Sequence, residues 1–305
     1  MKIIVGKFAD LTAPGETTVA RHRFAIALIT ISSIGFSFGG LLVRSMQDAT
    51  VWQINLYRSF FIICVLLGML FAQYGSRIGE AFWRIGPLGL LASVMIGFGP
   101  VFYLLGMTNT TVANTLFIIA TVPFITSVLA WLLLGERVRT GTWLAMSVAL
   151  FGILMMVGEG IALGAVFGNA MAFSCALVFS IFAVITRRER SIDMLPTLVV
   201  GAVLTGAISL VASWPELYLG SSDVLLCFIW GGIVSGLLGN WLFIKAIRHL
   251  AAAEITLLMM TEFVLGPLWV LFFIGEVPGR FTILGGILVL GAVGARAAWD
   301  LRRSV

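Results

Sequence analysis

Charged side chains are scarce in this chain of 305 residues: Asp, Glu, Lys and Arg together account for only 11% of it, while hydrophobic residues account for 60%. Soluble globular domains average about 25% charged residues. The mean hydropathy of +1.09 reflects the same excess of apolar side chains, which the interior of one soluble domain cannot accommodate. This composition excludes a water-soluble domain and predicts a chain that lies in a lipid bilayer.

Cysteine and histidine are also rare, with three Cys and two His. Cys64, Cys175 and Cys227 lie in separate apolar stretches, and His22 and His249 lie at or beyond the ends of such stretches. The close Cys or His spacing of a metal site is missing, and so is a base placed near an apolar-stretch serine. A G-x-x-x-x-G-K-S/T loop for ATP is missing as well. We therefore expect no metal, no cofactor and no enzyme activity.

Long apolar runs, by contrast, fill most of the sequence. A helix needs about 20 apolar residues to cross about 30 Å of hydrocarbon, because it rises about 1.5 Å per residue. The predicted spans are 24–43, 52–73, 85–106, 110–134, 141–158, 164–186, 194–214, 223–246, 251–274 and 281–299. The predicted fold is an all-α polytopic membrane protein with ten transmembrane helices, a leader at 1–23 and a tail at 300–305.

The 19 Lys and Arg residues are distributed unevenly between the two sides of this arrangement. Only Arg44 and Arg280 fall in odd-numbered connections, and Arg58 falls within the second span; all the others lie in the leader, the even-numbered connections, the tail, or the adjoining ends of the eighth and tenth spans. Positive residues concentrate on the cytosolic side of membrane proteins. Both termini are therefore predicted to be cytosolic. The net charge of +5 reflects these loop cations, so we expect no nucleic-acid partner.

Two short sequence patterns recur between the halves of the chain. The fourth predicted span ends in AWLLLGE at Glu136, and the ninth ends in VLFFIGE at Glu276, 140 residues later. A Phe-Ser pair at 36–37 recurs at 179–180, 143 residues later. The similar offsets predict an internal repeat.

The predicted halves, 24–158 and 159–299, hold five spans each. Because five is an odd number, matching helices in the two halves enter the membrane from opposite sides. The sequence therefore predicts two inverted five-helix repeats. Secondary transporters use such symmetry to open alternately to the two sides of the membrane around a site near the midplane.

The ten spans, the two halves and the paired Gly-Glu endings resemble the EamA-type drug/metabolite transporter superfamily. The stretch from Pro123 to Glu136 matches the family's fourth helix, which runs from Pro to Leu-Gly-Glu. In the ninth helix Glu262 occupies the family's Glu position, while Phe263 replaces its usual Pro. The resemblance covers 24–299.

This resemblance implies export of small organic molecules across a bacterial inner (plasma) membrane, with the lipid bilayer as surroundings and a monomer or homodimer as the assembly. A general likeness to YddG-type exporters implies that the solutes are neutral and aromatic amino acids. Drugs or other metabolites are the alternative solutes. A sensor, scaffold or lipid-modifying enzyme without a transport cycle is the alternative function, and a monomeric or homodimeric channel is a third possibility.

Two ionisable residues lie well inside predicted spans. Glu262 lies about 16 Å deep, where it could bind a substrate amino group, take up a proton, or be held by neighbouring polar groups that lock the bundle. Arg58 lies about 9 Å from the outer end of its span. Its long side chain could snorkel to the headgroups, or it could form a gate or contact a carboxylate.

Uncharged polar and aromatic residues on the helices that the resemblance places inside complete the candidate cavity. Each could equally knit helices together by hydrogen bonding or packing. The candidate substrate-binding residues are Glu262, Asn114, Tyr103, Trp241, Asn240, Phe36, Phe179, Trp269 and Thr121. We expect a solute to enter from the cytosol between the halves, to be held by aromatic faces and by Glu262 with Asn114, and to leave when the halves rock.

Overall fold

The structure is a computed structural model that describes residues 18–46, 48–135, 138, 140–162, 164–189, 194–242, 250 and 252–304. Within these residues it is entirely helical, and ten helices are long and apolar enough to cross a membrane, as predicted. The ten spans are His22–Ser45, Val51–Trp83, Gly86–Asn109, Val112–Leu134, Thr140–Gly160, Val166–Arg188, Met194–Ser213, Ser221–Asn240, Glu254–Ile274 and Arg280–Arg302.

Several spans are built from more than one helix. The α-helices are Thr18–Ser37, Gly39–Ser45, Val51–Tyr74, Ile78–Trp83, Gly86–Asn109, Val112–Ile119, Val122–Leu134, Thr140–Ala162, Val166–Arg188, Met194–Ser213, Ser221–Cys227, Ala252–Ile274 and Arg280–Ser304. A 3₁₀ turn at Gly75–Arg77 extends the second span beyond its predicted end, and Phe228–Leu242 in the eighth span is a π-helix.

The fourth span is broken, whereas the ninth span, its counterpart in the other half, is continuous. The break lies between Ile119 and Val122, and Pro123 follows in the first turn of the next helix. Proline is favoured in a first turn, where its missing N–H leaves no hydrogen bond unmade. Phe263 stands at the corresponding place in the ninth span, which runs as one helix even through Pro267.

The inverted repeat is visible in the way the spans pack. The fifth span packs against the tenth on one flank of the bundle, and the second against the seventh on the other. Between them, the first span contacts the eighth and ninth, and the sixth contacts the third and fourth. Because the first, eighth and ninth spans correspond to the sixth, third and fourth, these central contacts are the same arrangement formed twice.

Two aromatic contacts repeat this symmetry at single residues. The ring of Phe36 in the first span lies where a side chain at Gly239 of the eighth span would extend. In the other half, a Cβ at Gly99 of the third span would lie 3.2 Å from two ring atoms of Phe179 in the sixth. The recurring Phe-Ser pair therefore marks equivalent helix crossings in the two repeats.

The two ends of the bundle are packed differently. We name the end where Thr18 and Ser304 lie the terminal end, and the other the distal end. Every residue from 112 to 121, at the distal end of the fourth span, is buried. Val112 and Leu116 join a cluster from six of the spans and a connecting loop: Val43, Met46, Ile54, Leu104, Met107, Val112, Leu116, Leu219, Cys227, Trp230, Val234 and Val270.

The terminal end is less closely packed. All ten residues 254–263 of the ninth span are partly exposed and none is buried. Ten residues make nearly three helical turns, so the exposed positions include the side of the helix that faces the bundle. In the same half of the membrane, the helix Val122–Leu134 buries only Phe124 and Ala130. The bundle is therefore closed at its distal end and more open at its terminal end.

Glycine contacts between the fifth and tenth spans generate the first prediction. A Cβ at Gly152 would lie 2.6 Å from the carbonyl oxygen of Gly285, whereas one at Gly158 in the same helix would meet nothing within 4 Å. We expect Gly152→Val to lower the free energy of unfolding in detergent by about 1–3 kcal/mol through overpacking, and Gly158→Val to leave it nearly unchanged. Thermal unfolding followed by size-exclusion chromatography measures both, and equal melting temperatures would contradict this contact.

Candidate functional site

Glu262 lies where the ninth span crosses the first, about 15 Å from the start of its helix at Ala252. Its backbone N–H donates a hydrogen bond to Ser33 Oγ at 3.1 Å, and Ser33 Oγ donates to the carbonyl of Met259 at 3.4 Å. The Glu262 side chain is half-buried. Its carboxyl group has no hydrogen bond or ion pair to any residue that the structure describes.

A second contact between the same spans lies nearer the distal end. Trp269 Nε1 donates a hydrogen bond to Ser37 Oγ at 2.9 Å. The Trp269 ring stacks on Phe38 with centroids 5.0 Å apart and planes at 9°. Phe38 is the residue between the two helices of the first span, Thr18–Ser37 and Gly39–Ser45. The two rings therefore form an apolar wall beside the point where the first helix is interrupted.

Tyr103 and Arg58 meet on the other side of the first span, around Trp230. The Arg58 guanidinium carbon lies 4.5 Å from the centre of the Trp230 ring, and the Tyr103 and Trp230 centroids are 6.2 Å apart. A Cβ at Gly39 would lie 2.9 Å from the Tyr103 hydroxyl. Arg58 is only 9% exposed, so its side chain turns into the bundle and does not snorkel to the headgroups.

Electrostatics connect these two groups of residues. Tyr103 lies within electrostatic range of both Glu262 and Arg58, and so does the buried thiol of Cys175. The structure thus places Tyr103 near both Arg58 and Glu262. Among the aromatic candidates, Trp269 lies on the same ninth span as Glu262.

Asn114 and Thr121 lie elsewhere. Asn114 is in the first turn of its helix at the distal end, where its Nδ2 donates to Thr110 Oγ1 and to Asn169 Oδ1 in the sixth span. Thr121 is 3% exposed and donates to the carbonyl of Ile118 at 2.6 Å. The structure does not bring Asn114 together with Glu262. The hydrogen bonds of Asn114 and Thr121 hold helices in place.

The remaining candidates lie on the helix crossings. Phe36 and Phe179 are partly exposed and pack against glycines of the eighth and third spans, as described above. Asn240 Nδ2 donates to the carbonyl of Ser235 at 2.7 Å, five residues back in the π-helix. The side chain of Trp241 lies outside the described part of the structure.

The distal end is joined by an ion pair that we name the distal latch. Arg44 Nε donates to Glu276 Oε2 at 2.7 Å, and Arg44 Nη2 donates to the Thr110 carbonyl at 2.9 Å. Glu276 Oε1 accepts the N–H of Val112 at 2.7 Å. The latch therefore ties the ends of the first and ninth spans to the loop before the fourth. Glu136, the counterpart of Glu276 in the repeat, lies outside the described residues.

Sequence reasoning missed the distal latch, the burial of Arg58 and the roles of Ser33, Ser37, Phe38 and Trp230. The paired Gly-Glu endings pointed to Glu276 as a repeat marker but gave no partner for it. For Arg58 the only sequence signal was its depth within an apolar span, which does not show the direction of the side chain.

Comparisons with known proteins place these features in context. The model of the EamA-like transporter family matches the chain twice, at residues 23–158 and 166–295, and each match covers five spans. Human solute carrier family 35 member G1 is 24% identical over 290 residues, which are 87% of this chain and 76% of the human protein. A crystal structure of another protein superposes with a TM-score of 0.63 at 17% identity, over 92% of this chain and 99% of that one, which shows a shared fold.

The distal latch yields the second prediction. Glu276→Gln removes the charge that binds Arg44, and an ion pair of this kind contributes up to about 1 kcal/mol. Opening of the distal end should then become about fivefold more frequent. Buried Cys227, whose Sγ lies 3.8 Å from the Ile54 carbonyl near that end, reports the opening. In a background with Cys64 and Cys175 replaced by serine, its alkylation by N-ethylmaleimide should accelerate accordingly.

The matched control is Glu216→Gln, because Glu216 is an exposed carboxylate at the same end of the bundle. That variant should react at the wild-type rate. If Glu276→Gln and Glu216→Gln gave the same alkylation rate, the ion pair would not be what keeps the distal end closed.

Proposed function

The chain belongs to the EamA-like transporter family, and we propose that it is a secondary transporter that exports small organic metabolites, neutral and aromatic amino acids in particular. The observation that carries this proposal is the carboxyl group of Glu262, which is half-buried at the centre of the bundle and has no partner among the described residues. Ionisable groups are costly at membrane depth, so an unpartnered one marks a substrate or proton site.

The surroundings of Glu262 suit such a solute. A carboxylate in a site of low dielectric can bind a substrate ammonium through charge-assisted hydrogen bonds. The stacked rings of Phe38 and Trp269 lie on the spans that meet at Glu262. Aromatic walls with a few convergent polar groups are typical of sites for apolar or aromatic ligands. We therefore assign Glu262 to the amino group and these rings to the side chain.

Alternating access follows from the repeat and from the difference between the ends. In the orientation that the Lys and Arg residues predict, the termini and the terminal end of the bundle face the cytosol. The family resemblance implies that the membrane is a bacterial inner membrane. A solute would then reach Glu262 from the cytosol while the distal latch is closed. Rocking of the units 24–158 and 159–299 would exchange this state for one open at the distal end, as inverted repeats allow.

Transport itself provides the third prediction. Purified protein in proteoliposomes preloaded with phenylalanine should accumulate labelled phenylalanine by counterflow. Glu262→Gln should lower the rate at subsaturating substrate about 10- to 150-fold, since a hydrogen bond to a charged group contributes about 1.5–3 kcal/mol. Glu216→Gln, with its carboxylate at the exposed distal surface, should transport normally.

Panels of acidic and basic amino acids, sugars, nucleotides and hydrophobic drugs extend the same assay. Counterflow with any of these but with no neutral amino acid would replace the amino-acid assignment by that solute class. Equal rates for Glu262→Gln and wild type at every pH would remove Glu262 from the site.

A further inference from the structure

Arg58 is a buried cation that lacks both a carboxylate partner and hydrogen bonds from its guanidinium among the described residues. It is 9% exposed, and its Nε and Nη1 atoms have no hydrogen-bond partner. No carboxylate lies within ion-pair distance of it in the described part of the chain. A buried charge without a counterion is strongly destabilising. Its retention at this depth therefore calls for a ligand.

The environment of Arg58 orients the guanidinium for an anion. Its guanidinium carbon lies over the Trp230 ring, 4.5 Å from the centroid, a contact that stabilises a cation without using its N–H donors. Gly231 leaves room for the side chain, because a Cβ there would lie 3.0 Å from Arg58 Cγ. Two parallel N–H donors match the two oxygens of a carboxylate.

Two further polar groups nearby also lack partners. Asn55 is completely buried three residues before Arg58, on the same face of the helix, and neither its Nδ2 nor its Oδ1 is hydrogen-bonded. The Tyr103 hydroxyl has no hydrogen bond to any described residue. The Tyr103 ring lies 6.2 Å from Trp230, the ring that Arg58 contacts, and Tyr103 is also within electrostatic range of Glu262. Unpaired polar groups therefore lie close to the cation.

We propose that Arg58, with Tyr103 and Asn55 beside it, is the subsite that binds the carboxylate of the transported solute, while Glu262 binds its amino group. This assignment rests on the proposed transport function, but it concerns the solute's carboxylate alone. It makes organic acids with an apolar body the minimal ligands and excludes simple amines from the Arg58 subsite. Trp230 and Gly39 shape this subsite, since the Gly39 position faces both Tyr103 Oη and Trp230 Nε1.

Binding of three probes to the full chain in detergent separates the two subsites. These probes are phenylalanine, 3-phenylpropionate, which lacks the amine, and phenethylamine, which lacks the carboxylate. Arg58→Gln should weaken the binding of 3-phenylpropionate by about tenfold or more and leave the binding of phenethylamine unchanged, because only the carboxylate uses the guanidinium. Arg58→Lys keeps the charge without the paired donors, so its affinity for 3-phenylpropionate should lie between those of the wild type and Arg58→Gln. Arg84→Gln, at an exposed arginine, is the matched control.

Chemical modification of the wild type tests the same point without a variant. Phenylglyoxal reacts with guanidinium groups, and peptide mass spectrometry reports each arginine separately. Acetate, benzoate or 3-phenylpropionate should slow the reaction of Arg58 at least several-fold and leave that of exposed Arg84 unchanged. Failure of all three acids to protect Arg58 would overturn the proposal, as would equal binding of 3-phenylpropionate by Arg58→Gln and wild type.

The transport hypothesis and the subsite can fail separately. Protection of Arg58 by 3-phenylpropionate, together with no counterflow of any amino acid, would support the subsite and disprove amino-acid export. Phenylalanine counterflow that is unchanged in Arg58→Gln would support export and remove the Arg58 subsite.

Discussion

The structure depends on one constraint: within hydrocarbon no water is available, so every buried polar group must find its partner inside the protein. Most hydroxyls meet it by bonding to helix carbonyls, often across a helix crossing. Ser32 donates to Leu28 and to Leu238 of the eighth span, and Thr205 donates to Gly97 of the third. Glu262 and Arg58 are the charged exceptions that the described residues leave unpartnered. The constraint that builds the bundle is therefore also the basis of the proposed site.

The repeats are equivalent in topology but not in detail. Phe36 and Phe179 occupy matching helix crossings. The fourth span is broken ahead of Pro123, while the ninth continues through Phe263. The half of the fourth span before this break is buried all round, and the corresponding helix at the terminal end is partly exposed. A symmetric scaffold with unequal halves can rest in one of two related states, and the state described here is closed at the distal end.

The sequence predicted the ten spans because bilayer thickness sets the length of a spanning helix. It predicted the inverted repeat because an odd number of spans in the first half makes the second half enter the membrane from the opposite side. It located Glu262 because depth along a helix follows from residue counting. Depth does not give the direction of a side chain around the helix. The sequence therefore allowed the Arg58 side chain to reach the headgroups and Asn114 to lie beside Glu262. The Arg44–Glu276 pair joins residues 232 positions apart, and only tertiary structure shows such a contact.

The central claim, a bundle that opens alternately at its two ends around Glu262, is tested most directly by distances at the distal end. Spin labels at Thr108 and Val277, both exposed beside the distal latch, can be measured by pulsed electron paramagnetic resonance in nanodiscs. Alternating opening predicts two distance populations, with the longer one enriched by Glu276→Gln and the ratio shifted by transported solute. One unchanging distance in a protein that still transports would contradict it.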